Sequence, residues 1–248
     1  KGWKAFKLSA ISCFGFVETA GLLYGAKLIG DALGLTRPVV DPRLDGLDAT
    51  TQGRMGPRLA PRELAGRPTG FAPARAVELA EAALKTLSLT ANFAPLVVLA
   101  GHGSTSANNP HATGLDCGAC GGHTGEANAR VAAALLNDAA VREGLRARGI
   151  VIPTDTWFVA ALHDTTTDGF KLFDLAHTPA SHARALAELR EKLAEAGARA
   201  RRERAPALGA AEADILARAR DWSQVRPEWG LANNAAFIAA PRALTRGL

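Results

Sequence analysis

Cysteine is scarce in this chain. Cys13, Cys117 and Cys120 are the only three among 248 residues, too few and too odd in number for a disulfide framework. Two of them stand three positions apart among histidines, which favours metal binding or catalysis in a reducing compartment. Aromatic residues are also few, at 6%, and none interrupts the densest basic run, so stacking against nucleic acid is disfavoured and no such partner is expected. No long apolar run is free of charge. Residues 8–29 come nearest, but they carry Glu18 near the middle and Lys27 near the end. A carboxylate at mid-bilayer costs about 2.5–3.5 kcal/mol, so this stretch reads as a buried helix rather than a span, with docking onto a membrane left open. No signal peptide is visible. Methionine occurs once, as Met55, and the chain starts at Lys1, which reads as a piece of a longer protein.

What is present is ordinary globular material, 48% hydrophobic and 21% charged. The net charge of +5 is spread out, and its densest part is Arg199, Arg201, Arg202 and Arg204. That run follows a helical pattern and reads as a solvated helix end, with an anionic membrane surface or acidic partner as the alternative.

Three parts are expected. Residues 1–36 read as helical. Residues 37–73, rich in proline and glycine, read as irregular. Residues 74–248 read as an α/β domain. There, Val77, Ala80, Leu84 and Leu87 recur at helical spacing. The apolar run 94–100 has the character of a central parallel strand buried on both faces. A Gly-rich loop over 101–123 follows, then a helix from about Gly125 to Arg148 with Val131, Leu135, Leu136 and Ala139 on one face. Glu126 and the pair Arg146 and Arg148 suit its dipole, and Gly149 ends it. A second strand over 156–162 completes a βαβ unit, for which a right-handed crossover is expected. Helices over 183–204 and around 212–220 and a third strand over 235–239 finish the pattern.

The loop carries the chemistry. Ligands in open α/β sheets sit beyond the carboxyl ends of the strands, where His102 follows the first strand between two glycines. Cys117 and Cys120 lie on a Gly-rich turn ahead of the next helix, whose N-terminus favours thiolate. Imidazole and thiolate together suit zinc. The alternative is that the cysteines are small core residues and His102 a loop hydrogen-bonder. His111, His123 and His163 are further candidates. Asp116 can orient a ligand or take up backbone amides. Asp164, with Thr165 to Thr167, can support the site from behind or form a plain turn. Cys13, on an apolar helix, reads as core.

Several stretches are specific enough to resemble a known family. They are Gly101-His-Gly-Ser104 with Asn108-Asn-Pro-His111, Leu115-Asp-Cys-Gly-Ala-Cys-Gly-Gly122, and the run from Ile152 through Trp157 and His163 to Asp168. The segments 221–231 and 234–241 and the stretches around Phe16 to Glu18 and Gly21 to Gly25 add to them. Together they resemble the DabA family of inorganic-carbon transporter subunits. The resemblance implies a β-carbonic-anhydrase-like fold, mainly parallel, and one zinc held by two cysteines, an aspartate and a histidine. The histidine corresponds to His102 and the later cysteine to Cys117, with fourteen residues between them; Cys120 is the alternative. The family's Cys-x-Asp-x-Arg element does not occur in this chain, since Cys13 is followed by Phe14, Gly15, Phe16 and Val17. Half the ligand set and the Asp–Arg pair are therefore expected upstream of Lys1. The resemblance further implies hydration of CO2 to bicarbonate, coupled to a membrane-embedded ion-translocating partner of the DabB type, with this subunit peripheral on the cytoplasmic side of the inner membrane. Two other readings stand beside it: a non-catalytic zinc module that scaffolds the membrane subunit, and a different α/β metalloenzyme acting on an anionic substrate.

Overall fold

The computed structural model describes residues 15, 18–19, 21–33, 35, 47–48, 50–51, 55–105, 123–219 and 240–245. Its architecture is mixed α/β. A short 3-10 turn, Gly21–Tyr24, leads into helix α1, Gly25–Ala32. The expected burial of this helix is not met. Leu22, Leu23, Leu28, Ile29 and Leu33 are all more than half exposed, because no described element covers their face. Cys13 lies outside the described residues.

The Pro/Gly-rich stretch holds a structure that its composition hides. Strands β1, Arg62–Leu64, and β2, Arg67–Thr69, pair antiparallel across the two-residue turn Ala65-Gly66. Both turn residues have positive φ, at 52° and 74°, as a hairpin turn matched to strand twist requires.

Helix α2, Pro73–Thr86, starts on a proline whose missing N–H costs nothing in a first turn. It buries Ala76, Ala80 and Leu84. Leu87, expected on the same stripe, is 55% exposed, since it lies past the helix end as the C-cap.

Strand β3 spans Leu96–Gly103 and pairs in parallel with β4, Trp157–Asp164. Both run further toward their carboxyl ends than the apolar runs alone indicated, so His102, His163 and Asp164 belong to strands. Between them the single expected helix is two: α3, Glu126–Asn137, and α4, Ala139–Ala147. Asp138 makes the break. Its backbone is extended (φ −73°, ψ 128°), and its side chain accepts the N–H of Val141 at 3.0 Å as the N-cap of α4. Ala139 is therefore exposed in a first turn instead of buried on the α3 stripe. Gly149 ends α4 at φ +85°.

Strand β5, Gly169–Leu172, returns antiparallel on the far side of β4, giving the order β3-β4-β5. Among the described residues the sheet is thus mixed, with one parallel and one antiparallel pairing, rather than mainly parallel. The expected strand over 235–239 lies outside the described residues. Helix α5, Ala183–Arg204, matches its expected bounds and packs against β5; α6, Glu212–Arg218, follows.

Strand alternation divides the sheet into two faces. Val97, Leu99, Phe158, Ala160 and Leu162 join Phe173 and helices α2 to α4 in the main core, in which Leu84, Leu136 and Leu145 are fully sealed. By register, the opposite face carries Val98, Ala100 and His102 from β3, Val159, Ala161 and His163 from β4, and Phe170 and Leu172 from β5.

Two polar devices hold β4 against α3. Asn137 donates to the carbonyl of Phe158 at 2.8 Å and accepts its N–H at 3.0 Å. Arg142 donates to the carbonyls of Leu136 and Thr156 at 2.6 and 2.7 Å, and burial pulls its pKa down. A third device joins the strand starts. His182 Nε2–H donates to the carbonyls of Asp155 and Pro95 at 2.8 and 3.1 Å.

Candidate functional site at the strand tips

His102 is the penultimate residue of β3, and its side chain is exposed. Backbone packing fixes its position. The N–H of Gly125 donates to the His102 carbonyl at 2.8 Å. A Cβ on Gly101 would lie 2.4 Å from the Gly125 carbonyl oxygen, and one on Gly103 would lie 2.9 Å from the methyl of Thr124. The glycines flanking His102 do permit a close backbone approach, as their spacing suggested. What approaches is the chain itself, at Thr124 and Gly125 just ahead of α3.

His163 sits directly across from His102 in the parallel register, so both imidazoles belong to the same face at the same tip. Paired strands lie about 4.7–4.9 Å apart, which makes the two residues neighbours. The His163 side chain is 31% exposed. Its ring stacks on Phe170 of β5, with centroids 4.8 Å apart and planes 21° apart. Its Nε2 lies 3.2 Å from Asp168 Oδ1.

Behind His163 is a nearly sealed ion pair. Asp168 and Arg204 are 5% and 6% exposed, and Arg204 Nη2 stands 2.8 Å from Asp168 Oδ2. Asp168 takes φ 54°, a left-handed conformation that Asp enters more readily than most side chains. Arg204 also donates to the carbonyls of Thr165 and Thr166, both at 3.0 Å, and Arg201 donates to the carbonyl of Thr167 at 2.8 Å. Gly197 completes this stripe of α5: a Cβ there would lie 2.3 Å from the Asp168 carbonyl oxygen.

These contacts correct the reading of the basic run. Arg199 and Arg202 are indeed solvated, at 74% and 70% side-chain exposure, whereas Arg204 is buried and Arg201 half-buried. Sequence reasoning missed Asp168 and Arg204. The available signal was the i, i+4, i+7 spacing of Gly197, Arg201 and Arg204, which places a gap and two cations on one helical stripe.

Asp164 serves the turn. Its Oδ1 accepts the N–H groups of Thr105 and Thr166 at 3.1 and 3.0 Å, and its Oδ2 accepts the Thr167 hydroxyl at 2.8 Å. His123 is exposed. Cys117, Cys120, Asp116 and His111 lie outside the described residues. Among the described residues, no three His, Cys, Asp or Glu side chains are grouped to hold a metal ion. His102 therefore offers one imidazole donor of the kind zinc accepts, and a tetrahedral set needs further ligands from elsewhere in the protein.

The family model for the probable inorganic carbon transporter subunit DabA matches residues 1–248. The chain belongs to the DabA family. Among its relatives, probable inorganic carbon transporter subunit DabA 1 of Bradyrhizobium sp. strain BTAi1 is 63% identical over 253 residues. The DabA proteins of Roseiflexus castenholzii and Chloroflexus aurantiacus are 61% and 58% identical. Each match covers 100% of this chain and 30% of the relative, so this DabA-family chain spans about a third of their length. No solved structure matches it. Among the described residues, no helix is long and apolar enough to cross a membrane.

Proposed function

We propose that this chain supplies His102 and Cys117 as two ligands of one zinc ion, in a carbonic-anhydrase-like subunit that hydrates CO2 to bicarbonate during energy-coupled inorganic carbon uptake. The observation that carries the reading is the placement of His102. It is an exposed side chain at a strand tip, its backbone held by close-packed glycines and by the Gly125 N–H on its carbonyl. Cys117 lies eight residues before Gly125. At about 3.3–3.6 Å per residue, the chain imposes no obstacle to its thiolate meeting the imidazole.

Zinc, when bound, supplies Lewis acidity that lowers the pKa of bound water to about 7. This chain's part is to carry one imidazole on a fixed strand tip, to line the approach with His163 and Phe170, and to keep the strand tips in register. The remaining ligands, a Cys-x-Asp-x-Arg element, belong to a part of the protein outside this span. The subunit sits peripherally on the cytoplasmic side of the inner membrane, against a membrane-embedded ion-translocating partner of the DabB type. Membership of a family named for inorganic carbon transport supports that assembly.

The test uses the full-length protein with its membrane partner, in cells lacking other carbonic anhydrases. Zinc content and inorganic carbon uptake are measured for wild type, His102→Ala and Cys117→Ala. Loss of both metal and uptake in each variant is the expected result. Uptake retained without metal rules out zinc catalysis, and metal retained in both variants rules out this ligand assignment.

A further inference from the structure

We propose that Asp168 and Arg204 are positioning residues for His163, and that His163, held by them, is a polar contact for bicarbonate at the strand tip it shares with His102. The inference rests on the functional reading above and adds to it a group that holds the bicarbonate as it forms.

The argument starts from the buried pair. Two ionic side chains at 5% and 6% exposure are costly to desolvate, and such a pair is weak evidence for stability alone. Here each charge has a directed use. Arg204 neutralises Asp168 through Oδ2, which leaves Oδ1 as an anionic acceptor 3.2 Å from His163 Nε2. A carboxylate at that distance takes the Nε2–H and so selects the imidazole tautomer whose Nδ1 is an acceptor. Phe170 stacks on the ring and restricts its tilt. Tautomer and orientation are both set, yet the side chain stays 31% open to solvent.

A histidine fixed only for packing does not need an accessible ring. His163 shares a strand tip and a face with His102, and its remaining acceptor is the atom assigned here to the O–H of bicarbonate. Asp164 is not available for this role, because its carboxylate is occupied by Thr105, Thr166 and Thr167.

The experiment uses the same full-length complex. Zinc content, protein level and the inorganic carbon dependence of uptake are measured for His163→Gln, Asp168→Asn and the double variant. His163→Gln is the main variant, since its side chain is part-exposed and its loss leaves the Asp168–Arg204 pair intact. The expected result is unchanged zinc and protein level, with maximal uptake lowered about 10-fold, the upper range for one hydrogen bond lost as bicarbonate forms. Asp168→Asn gives a similar fall, and the double variant is no worse than either single one. Wild-type maximal uptake in His163→Gln overturns the proposal, even if His102→Ala abolishes uptake. Reduced protein level in Asp168→Asn together with normal uptake by His163→Gln assigns the buried pair to folding and also overturns it. Zinc lost from His163→Gln makes His163 a determinant of metal binding instead, and equally overturns it.

Discussion

The N–H of Gly125 donates to the carbonyl of His102 at 2.8 Å, so the chain that leaves β3 returns to its tip before α3 begins. The contact depends on the absence of side chains. A Cβ on Gly125 would lie 2.8 Å from Gly101 Cα, and one on Gly101 would lie 2.4 Å from the Gly125 carbonyl. Gly101→Ala and Gly125→Ala are each expected to lower stability by about 1–3 kcal/mol, the range for overpacking, because backbone must shift to admit the methyl. Chemical denaturation of wild type and variants checks this. Unchanged midpoints would show that the two segments separate freely.

Asn137 closes two hydrogen bonds with the backbone of Phe158, a residue 1% exposed. Asn137→Ala leaves that N–H and carbonyl without this partner. The expected loss is about 2–6 kcal/mol, from a desolvation penalty of about 1–3 kcal/mol for each of the two buried groups left unsatisfied. The measurement is the denaturant midpoint at constant slope, and a change under 0.5 kcal/mol would indicate that water replaces the side chain, since ordinary surface substitutions stay within about that range.

Arg130 grips Asp174 at two points, Nε to Oδ2 at 2.9 Å and Nη2 to Oδ1 at 2.7 Å, and also reaches Glu126 and the carbonyl of Met55. The Asp174 contact holds the guanidinium above its ordinary pKa. The pair borders a cavity of about 220 Å³ lined in part by Pro57, Trp157 and Phe173. Asp174→Asn removes the carboxylate charge and should cost about 1.5–3 kcal/mol, the range for hydrogen bonds to charged groups. It should also raise the exchange rate of amides around Met55. Exchange unaltered there would show that Arg130 does not tie that segment down.

Glu81 accepts from Lys85 Nζ at 2.7 Å and from Arg148 Nη1 at 2.5 Å, and these two cations hold its carboxyl below the ordinary glutamate value. The native state therefore resists protonating Glu81 more than the unfolded chain does. The resulting stability is complete above the unfolded-state pKa and disappears as pH falls through the lowered native one. Wild type should accordingly melt above Glu81→Gln at neutral pH, with the two curves converging in acid. A gap that stays constant down the acid limb would assign the difference to packing.

The parts legible in the sequence were those with a clear period. Helix α5 matched its expected bounds because Leu186, Leu189 and Leu193 recur on one side of a charged helix. The cores of β3 and β4 were apparent from their apolar runs, but their ends were not, because His102, His163 and Asp164 do not look like strand residues. Strand β5 was missed because four residues carry little pattern and its register comes from β4. The break at Asp138 was hidden because helical spacing continues across it. The position of His102 at a strand tip between close-packed glycines was readable. Arg204 was not, since a cation in a basic run looks solvated until the turn it caps is folded against it.

Helix α5 and the turn after β4 cannot be finished separately. The carbonyls of Thr165, Thr166 and Thr167 find their donors on Arg204 and Arg201, more than thirty residues further along the chain. The β4–β5 hairpin and the second half of α5 are therefore expected to open and close as one cooperative unit. In a native-state hydrogen-exchange profile, the Asp168 amide, bonded to the Asp164 carbonyl at 2.7 Å, would then share the opening energy of a helix that it does not belong to.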